Sequence, residues 1–221
     1  MARAKRSEAQ SEEMRRHLVS ATRKIIAERG LSAVTARGLA AELDWSVGTI
    51  YTVAPSIDAV TLEANAAELG ELCAALESTR EELSNKGAQP QELIRAFGEL
   101  YLRFATARPR SWAAIFERDA EGEPPAWYRE RQTRLFGVLE GALAPLVRDV
   151  EEARRVARTL WAALHGLLAL SLAGHLARVS GGAGTLVSLD DRSDTLLELK
   201  AHAQELIDLY LAGLKARGRA G

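Results

Sequence analysis

Apolar positions recur every three or four residues along almost the whole chain, and no stretch alternates β-branched with polar residues, so the pattern predicts an all-α protein. Met14, Leu18, Ala21 and Ile25 share one stripe of a helix over residues 11–29, which Gly30 ends as a left-handed stop. Two short helices follow, over residues 35–43 and 46–53. Pro55 and Ser56 then open a long helix to about residue 83, with Ser56 as its cap and Asp58 in its first turn. After a polar turn at 84–87, Pro90 takes the first helical position, and that helix stops near Pro109, which cannot extend the hydrogen-bond ladder. A short helix to about 118 and a break at 122–125 come next. Helices over 126–146 and 150–179, a Gly-rich loop at 180–184 and a last helix over 192–215 bring the total to nine.

The two short helices begin with the same device. Thr35 caps the first while Val34 and Leu39 stand at the two ends of a hydrophobic staple; Ser46 caps the second, with Trp45 and Ile50 in the same roles. Two helices of about two turns joined by about three residues make a helix-turn-helix. Asp44 sits in the turn, where a left-handed backbone is often required. The second helix leaves Val47, Gly48, Thr49, Tyr51 and Thr52 for its outer side. Small side chains at 47 and 48 allow close approach to base edges, Thr49 and Thr52 offer hydroxyls and methyls, and the Tyr51 hydroxyl can reach a phosphate. Ser46 joins this set at the helix start, and Thr35 and Arg37 begin the preceding helix, where anions are favoured.

Charge sharpens this picture only slightly. The net charge is −1, but residues 1–56 hold nine Lys and Arg against six Asp and Glu, a mildly basic head on an acidic body. Hydrophobic residues at 47% suffice for a core. No apolar run has the length of a membrane span, no signal-like stretch leads the chain, and there is one cysteine, Cys73; the expected location is the cytoplasm. His17, His165, His175, His202 and Cys73 are scattered without metal-ligand spacing, and no phosphate loop is present. No metal, cofactor or enzymatic activity is expected. A helical-bundle enzyme or an interaction adaptor without DNA binding is the alternative.

The segments Thr-x-Arg-x-Leu-Ala at 35–40, Ser-x-Gly-Thr-Ile-Tyr at 46–51 and Pro55-Ser56 together resemble the TetR (AcrR-like) family of regulators. The resemblance implies a DNA-binding head, here residues 11–56, whose third helix enters the major groove. It also implies a helical ligand-binding and dimerisation body, here residues 57–217. A homodimer on a palindromic double-stranded operator, acting as a repressor released by a small effector, is the usual arrangement. Four positions depart from the pattern: Asp44 replaces a common Gly, Trp45 a small aliphatic residue, Ala54 a Phe and Ile57 a Lys. In the body, Trp161, His165 and Gly166 are similar to the Trp-His-Gly signature of one C-terminal domain type of that family. Trp161 and His165 lie four residues apart on one helical face. With Phe97, Tyr101, Trp112, Phe116 and Trp127 they form the candidate lining of an apolar effector cavity.

Overall fold

The computed structural model describes residues 2–116, 123–173 and 192–219. Among these are nine α-helices: α1 (Ala2–Arg29), α2 (Ala36–Leu43), α3 (Val47–Val53), α4 (Ile57–Asn85), α5 (Pro90–Ala107), α6 (Pro109–Phe116), α7 (Ala126–Leu143), α8 (Val150–Leu172) and α9 (Arg192–Arg219). Short 3₁₀ turns occupy Leu31–Ala33 and Ala144–Leu146. The all-α expectation stands.

Boundaries differ from expectation where local chemistry decides them. α1 begins at Ala2 rather than near residue 11, because Ala, Lys, Arg, Glu and Gln sustain a helix without an apolar stripe. α7 ends at Leu143, three residues early, because Pro145 supplies no amide hydrogen and its ring crowds the preceding turn. The last helix instead runs four residues beyond residue 215. The expected end of α8 at 179, the Gly-rich loop at 180–184, His175 and the residues after Phe116 in the short helix lie outside the described residues.

The helix starts follow the capping logic. The Ser56 hydroxyl accepts from Ala59 N at 3.0 Å, and Asp149 accepts from Glu152 N at 2.7 Å. Glu92 returns the favour at α5, accepting from Gln89 N at 2.7 Å. Gly30 (φ 86°) and Gly87 (φ 73°) take left-handed conformations at the ends of α1 and α4, where a β-carbon would be strained.

The chain divides into two compact units. One comprises Met1–Glu71 and Ala107–Arg131, the other Leu72–Thr106 and Gln132–Gly221. The first therefore takes in α6 and the start of α7, which lie in the body of the head-and-body division. Its core gathers Leu18, Ile25 and Ile26 of α1, Leu39 of α2, Ile50 of α3, Val60 and Ala64 of α4, and Ala114 of α6. Asn65 Nδ2 donates to Ala114 O at 2.8 Å within that core, and Arg110 Nη1 donates to Glu28 O at 2.8 Å. An ionic cluster joins the same elements. Arg23 donates to Glu68 at 2.8 and 3.0 Å and to Glu71, while Arg108 bonds Glu68 at 3.2 Å and also Glu71. Glu68 is almost wholly enclosed, so leaving it without its arginines would strand a buried charge.

In the second unit α5, α8 and α9 contribute most of the buried apolar residues, among them Ile94, Phe97, Leu102, Leu160, Leu168, Leu199 and Ile207. Gly98 lets α5 approach α9 closely, since a β-carbon there would stand 2.5 Å from Ile207 Cδ1.

Burial works to raise the Glu71 carboxyl, but hydrogen bonds from Arg108 and Arg23 outweigh it and hold the group below the usual carboxylate range. A folded value below the unfolded one stabilises the protein above the unfolded value, about pH 4.3, and that contribution is lost as pH falls through the folded value. The wild type is expected to melt higher than Glu71→Gln near pH 7, and the difference should shrink as pH falls below the ordinary carboxylate range. Thermal melts across that range check it; a gap undiminished by acid contradicts the assigned network.

Candidate nucleic-acid interface

The local sequence builds α2 and α3 as a rigid pair. Thr35 is extended, and its hydroxyl accepts from Gly38 N at 3.0 Å; Ser46 is extended, and its hydroxyl accepts from Thr49 N at 3.0 Å. Val34 (8% exposed) and Leu39 (0%) are buried together, and Trp45 packs half-buried on the cluster that holds Ile50 (0%). Both staples expected from the sequence are therefore in place. Asp44 takes the left-handed conformation at φ 54°, ψ 42°, and Trp45 N donates to Ala40 O at 2.9 Å, which closes α2 and turns the chain into α3.

Because Ile50 points inward, the opposite side of α3 faces solvent. Val47 is 39% exposed and Tyr51 53%, with Gly48 and Thr52 also exposed and Thr49 half-buried. Gly48 has no atom nearer than 3.6 Å to a would-be β-carbon, so the start of α3 is thin as well as open. Thr35 and Arg37 are exposed at the start of α2.

The hydroxyls are more committed than the sequence suggested. Thr52 Oγ1 donates to Gly48 O at 3.0 Å, so its proton stays within the helix. Ser46 Oγ and Thr49 Oγ1 lie 2.8 Å apart and share one hydrogen bond. Tyr51 and Arg37 thus offer the longest polar reach on this surface. On the α1–α2 side, Glu42 bonds Lys24 at 2.6 Å and lies 3.6 Å from Arg29; the Lys24 hydrogen bond holds its carboxyl below the usual range.

The departures at 54 and 57 have a structural outcome. Ala54 is buried in the head core, and Ile57 packs against it, so both serve packing rather than the surface.

The aromatic set expected to line one cavity falls in two units. Phe97, Tyr101, Trp161 and His165 belong to the second unit. There the Tyr101 hydroxyl lies 2.9 Å from His165 Nδ1, and the Trp161 ring stands 5.1 Å from the His165 ring and 5.5 Å from Phe136. Burial pushes the His165 imidazole pKa down, which favours its neutral form. Trp112, Phe116 and Trp127 belong to the first unit; Trp112 and Phe116 pack at 5.4 Å, and Trp127 meets Tyr128 edge-on at 5.7 Å. Phe136 was missed as a neighbour of Trp161, although its place in the apolar pattern of α7 was available. The Arg23–Glu68–Arg108–Glu71 cluster was missed for a better reason: its members lie about forty residues apart, beyond any helical period. Among the described residues no helix is long and apolar enough to cross a membrane, and no cluster of metal-ligating side chains occurs.

Comparison with known proteins agrees with this geometry. Residues 18–64 match the family model of the bacterial regulatory proteins of the tetR family, and residues 94–189 match that of the tetracyclin repressor-like C-terminal domain. The chain belongs to the TetR family and is a DNA-binding transcriptional regulator, not an enzyme. That assignment sets aside the helical-bundle enzyme. Its fold is similar to that of a TetR transcriptional regulator from Rhodococcus sp. RHA1, at 16% identity and TM-score 0.60, over 92% of this chain and 97% of that one. A possible TetR family transcriptional regulator from Streptomyces coelicolor A3(2) shares 17% identity with TM-score 0.62, over 91% and 98% of the two chains. A protein of unknown function from Rhodococcus sp. RHA1 shares 20% identity with TM-score 0.65, over 90% and 94%. No curated protein matches the sequence.

Removing the Ser46 cap tests the local construction. Ser46→Ala is expected to cost about 1 kcal/mol in chemical denaturation, and Ser46→Asp, which can cap equally well, to restore most of it. Equal losses in both would show that the cap does not set the start of α3.

Proposed function

We propose that this regulator is a homodimeric, effector-released repressor acting in the cytoplasm, with residues 11–56 as the DNA-reading head and 57–217 as the sensing and dimerising body. The observation that carries the reading is the outer side of α3: a capped helix with its apolar anchor wholly buried and a thin, exposed opposite face. Such a rod fits the major groove. Val47, Gly48 and the Thr49 and Thr52 methyls approach base edges, while Ser46, Tyr51, Thr35 and Arg37 hold the phosphates. Two copies related by a two-fold axis set their α3 helices about one turn of DNA apart, roughly 34–36 Å, which demands a palindromic operator.

Exposed leucines support dimerisation through the last two helices. Leu170 and Leu172 on α8 and Leu197 and Leu209 on α9 are 44–68% exposed in the single chain, an apolar surface that a second copy would cover. The effector site is assigned to the Trp161–His165 face with Tyr101 and Phe97. There a neutral imidazole and a phenol give an apolar effector one polar anchor. Effector binding there would shift the population between two arrangements of the dimer, only one of which spans the operator. Trp112, Phe116 and Trp127 are not carried into this site.

Sequencing the genomic fragments retained by the purified full-length protein tests the reading. One enriched palindrome is the expected result; a retained pool indistinguishable from the input overturns it. On that operator, Tyr51→Ala is expected to lower affinity about tenfold, roughly 1.4 kcal/mol, without changing the melting curve. Arg37→Gln should weaken all sequences alike and reduce the salt dependence by about one phosphate contact. Unchanged gel-shift titrations at fixed salt would remove α3 and α2 from the interface.

A further inference from the structure

We propose that a groove in the first unit, walled by α1, α4 and the start of α7, binds a flat organic anion of the aromatic carboxylate type. Its volume is about 410 Å³, within the range of small-ligand sites. Four arginines line it (Arg15, Arg16, Arg23 and Arg131) against two glutamates, Glu12 and Glu63. Two of the arginines are already engaged: Arg15 donates to Glu63 at 2.8 Å, and Arg23 to Glu68 and Glu71. Arg16 and Arg131 are exposed and have no ion-pair partner among the described residues.

Concave walls concentrate the field of such uncompensated cations, so the groove attracts anions although the chain as a whole is nearly neutral. Glu12, also among the lining residues, reduces that attraction without cancelling two guanidinium groups. The other wall supplies shape. Trp127 lines the groove and is 40% exposed, and Ala66 and Ala67 present only small side chains on the α4 side. Arg131 extends over Gly70, its Nη1 3.6 Å from where a β-carbon would stand. A planar ring stacked on the indole, with a carboxylate turned toward the two free guanidinium groups, uses both features at once. A bare phosphate would leave the indole idle, and a neutral aromatic would leave the arginines uncompensated. This site shares no residue with the Tyr101–His165 face.

Calorimetric titration of the full-length protein with 2-naphthoate tests the proposal. Saturable binding is expected with Kd below about 1 mM, and the neutral 2-naphthalenemethanol should bind at least about tenfold more weakly. The double variant Arg16→Gln, Arg131→Gln and, separately, Trp127→Ala should each lower naphthoate affinity by about tenfold or more. All of these side chains are exposed, and unchanged thermal melts verify that the variants remain folded. Absence of saturable heat in the wild type, equal binding of the neutral probe, or binding that survives both groove variants would each overturn the site.

Discussion

The direction of α3 is set by one small interaction repeated twice: a side-chain hydroxyl standing in for a missing backbone acceptor. Thr35 and Ser46 satisfy amides that the first turns of α2 and α3 would leave bare, and Asp44 makes the left-handed step between them. Ile50 can then reach the bottom of the head core, and everything exposed on α3 follows from that single inward anchor. Without the caps, a seven-residue helix has too few internal hydrogen bonds to hold its own axis. The geometry of the proposed DNA-reading surface is thus a consequence of local backbone chemistry and one buried side chain.

That surface rests on a unit larger than a three-helix head. Asn65 and Arg110 fasten α6 to α4 and α1 through two main-chain carbonyls, and the Arg23–Glu68–Arg108–Glu71 cluster ties the same elements electrostatically. An enclosed carboxylate shared between two arginines is costly to disrupt by halves, because removing one partner leaves a buried charge uncompensated. The groove beside it draws on the same helices. There α1 and the first turns of α7 bring charge and an aromatic face together without engaging either fully.

Much of this was legible in the sequence, and the legible part was local. Capping hydroxyls, staples, Pro90 and the terminating Gly30 act within one helical turn, so their spacing predicts α2, α3 and the starts of α4 and α5. The exposed set Val47, Gly48, Tyr51 and Thr52 follows from the same periodicity once Ile50 is identified as the anchor. What stayed hidden was long-range. The partners of Arg23 and Arg108 have no period, and the division of the seven candidate lining residues between two units depends on how α6 and the start of α7 pack. Even on α3, the inward use of the Thr52 proton by Gly48 O is a matter of rotamer rather than of composition. Ala54 and Ile57, which look like losses beside the family pattern, take packing roles: Ala54 is buried in the head core and Ile57, half-buried, packs against it.

The central claim is that the outer side of α3 is the surface that meets the bases. A photoreactive phenylalanine analogue placed singly at Val47, and in a second protein at Leu170 on α8, tests it most directly when each is irradiated with the retained genomic DNA. Cross-linking to DNA from position 47 and none from position 170 is the predicted result. Cross-linking from 170 with silence at 47 would contradict the account.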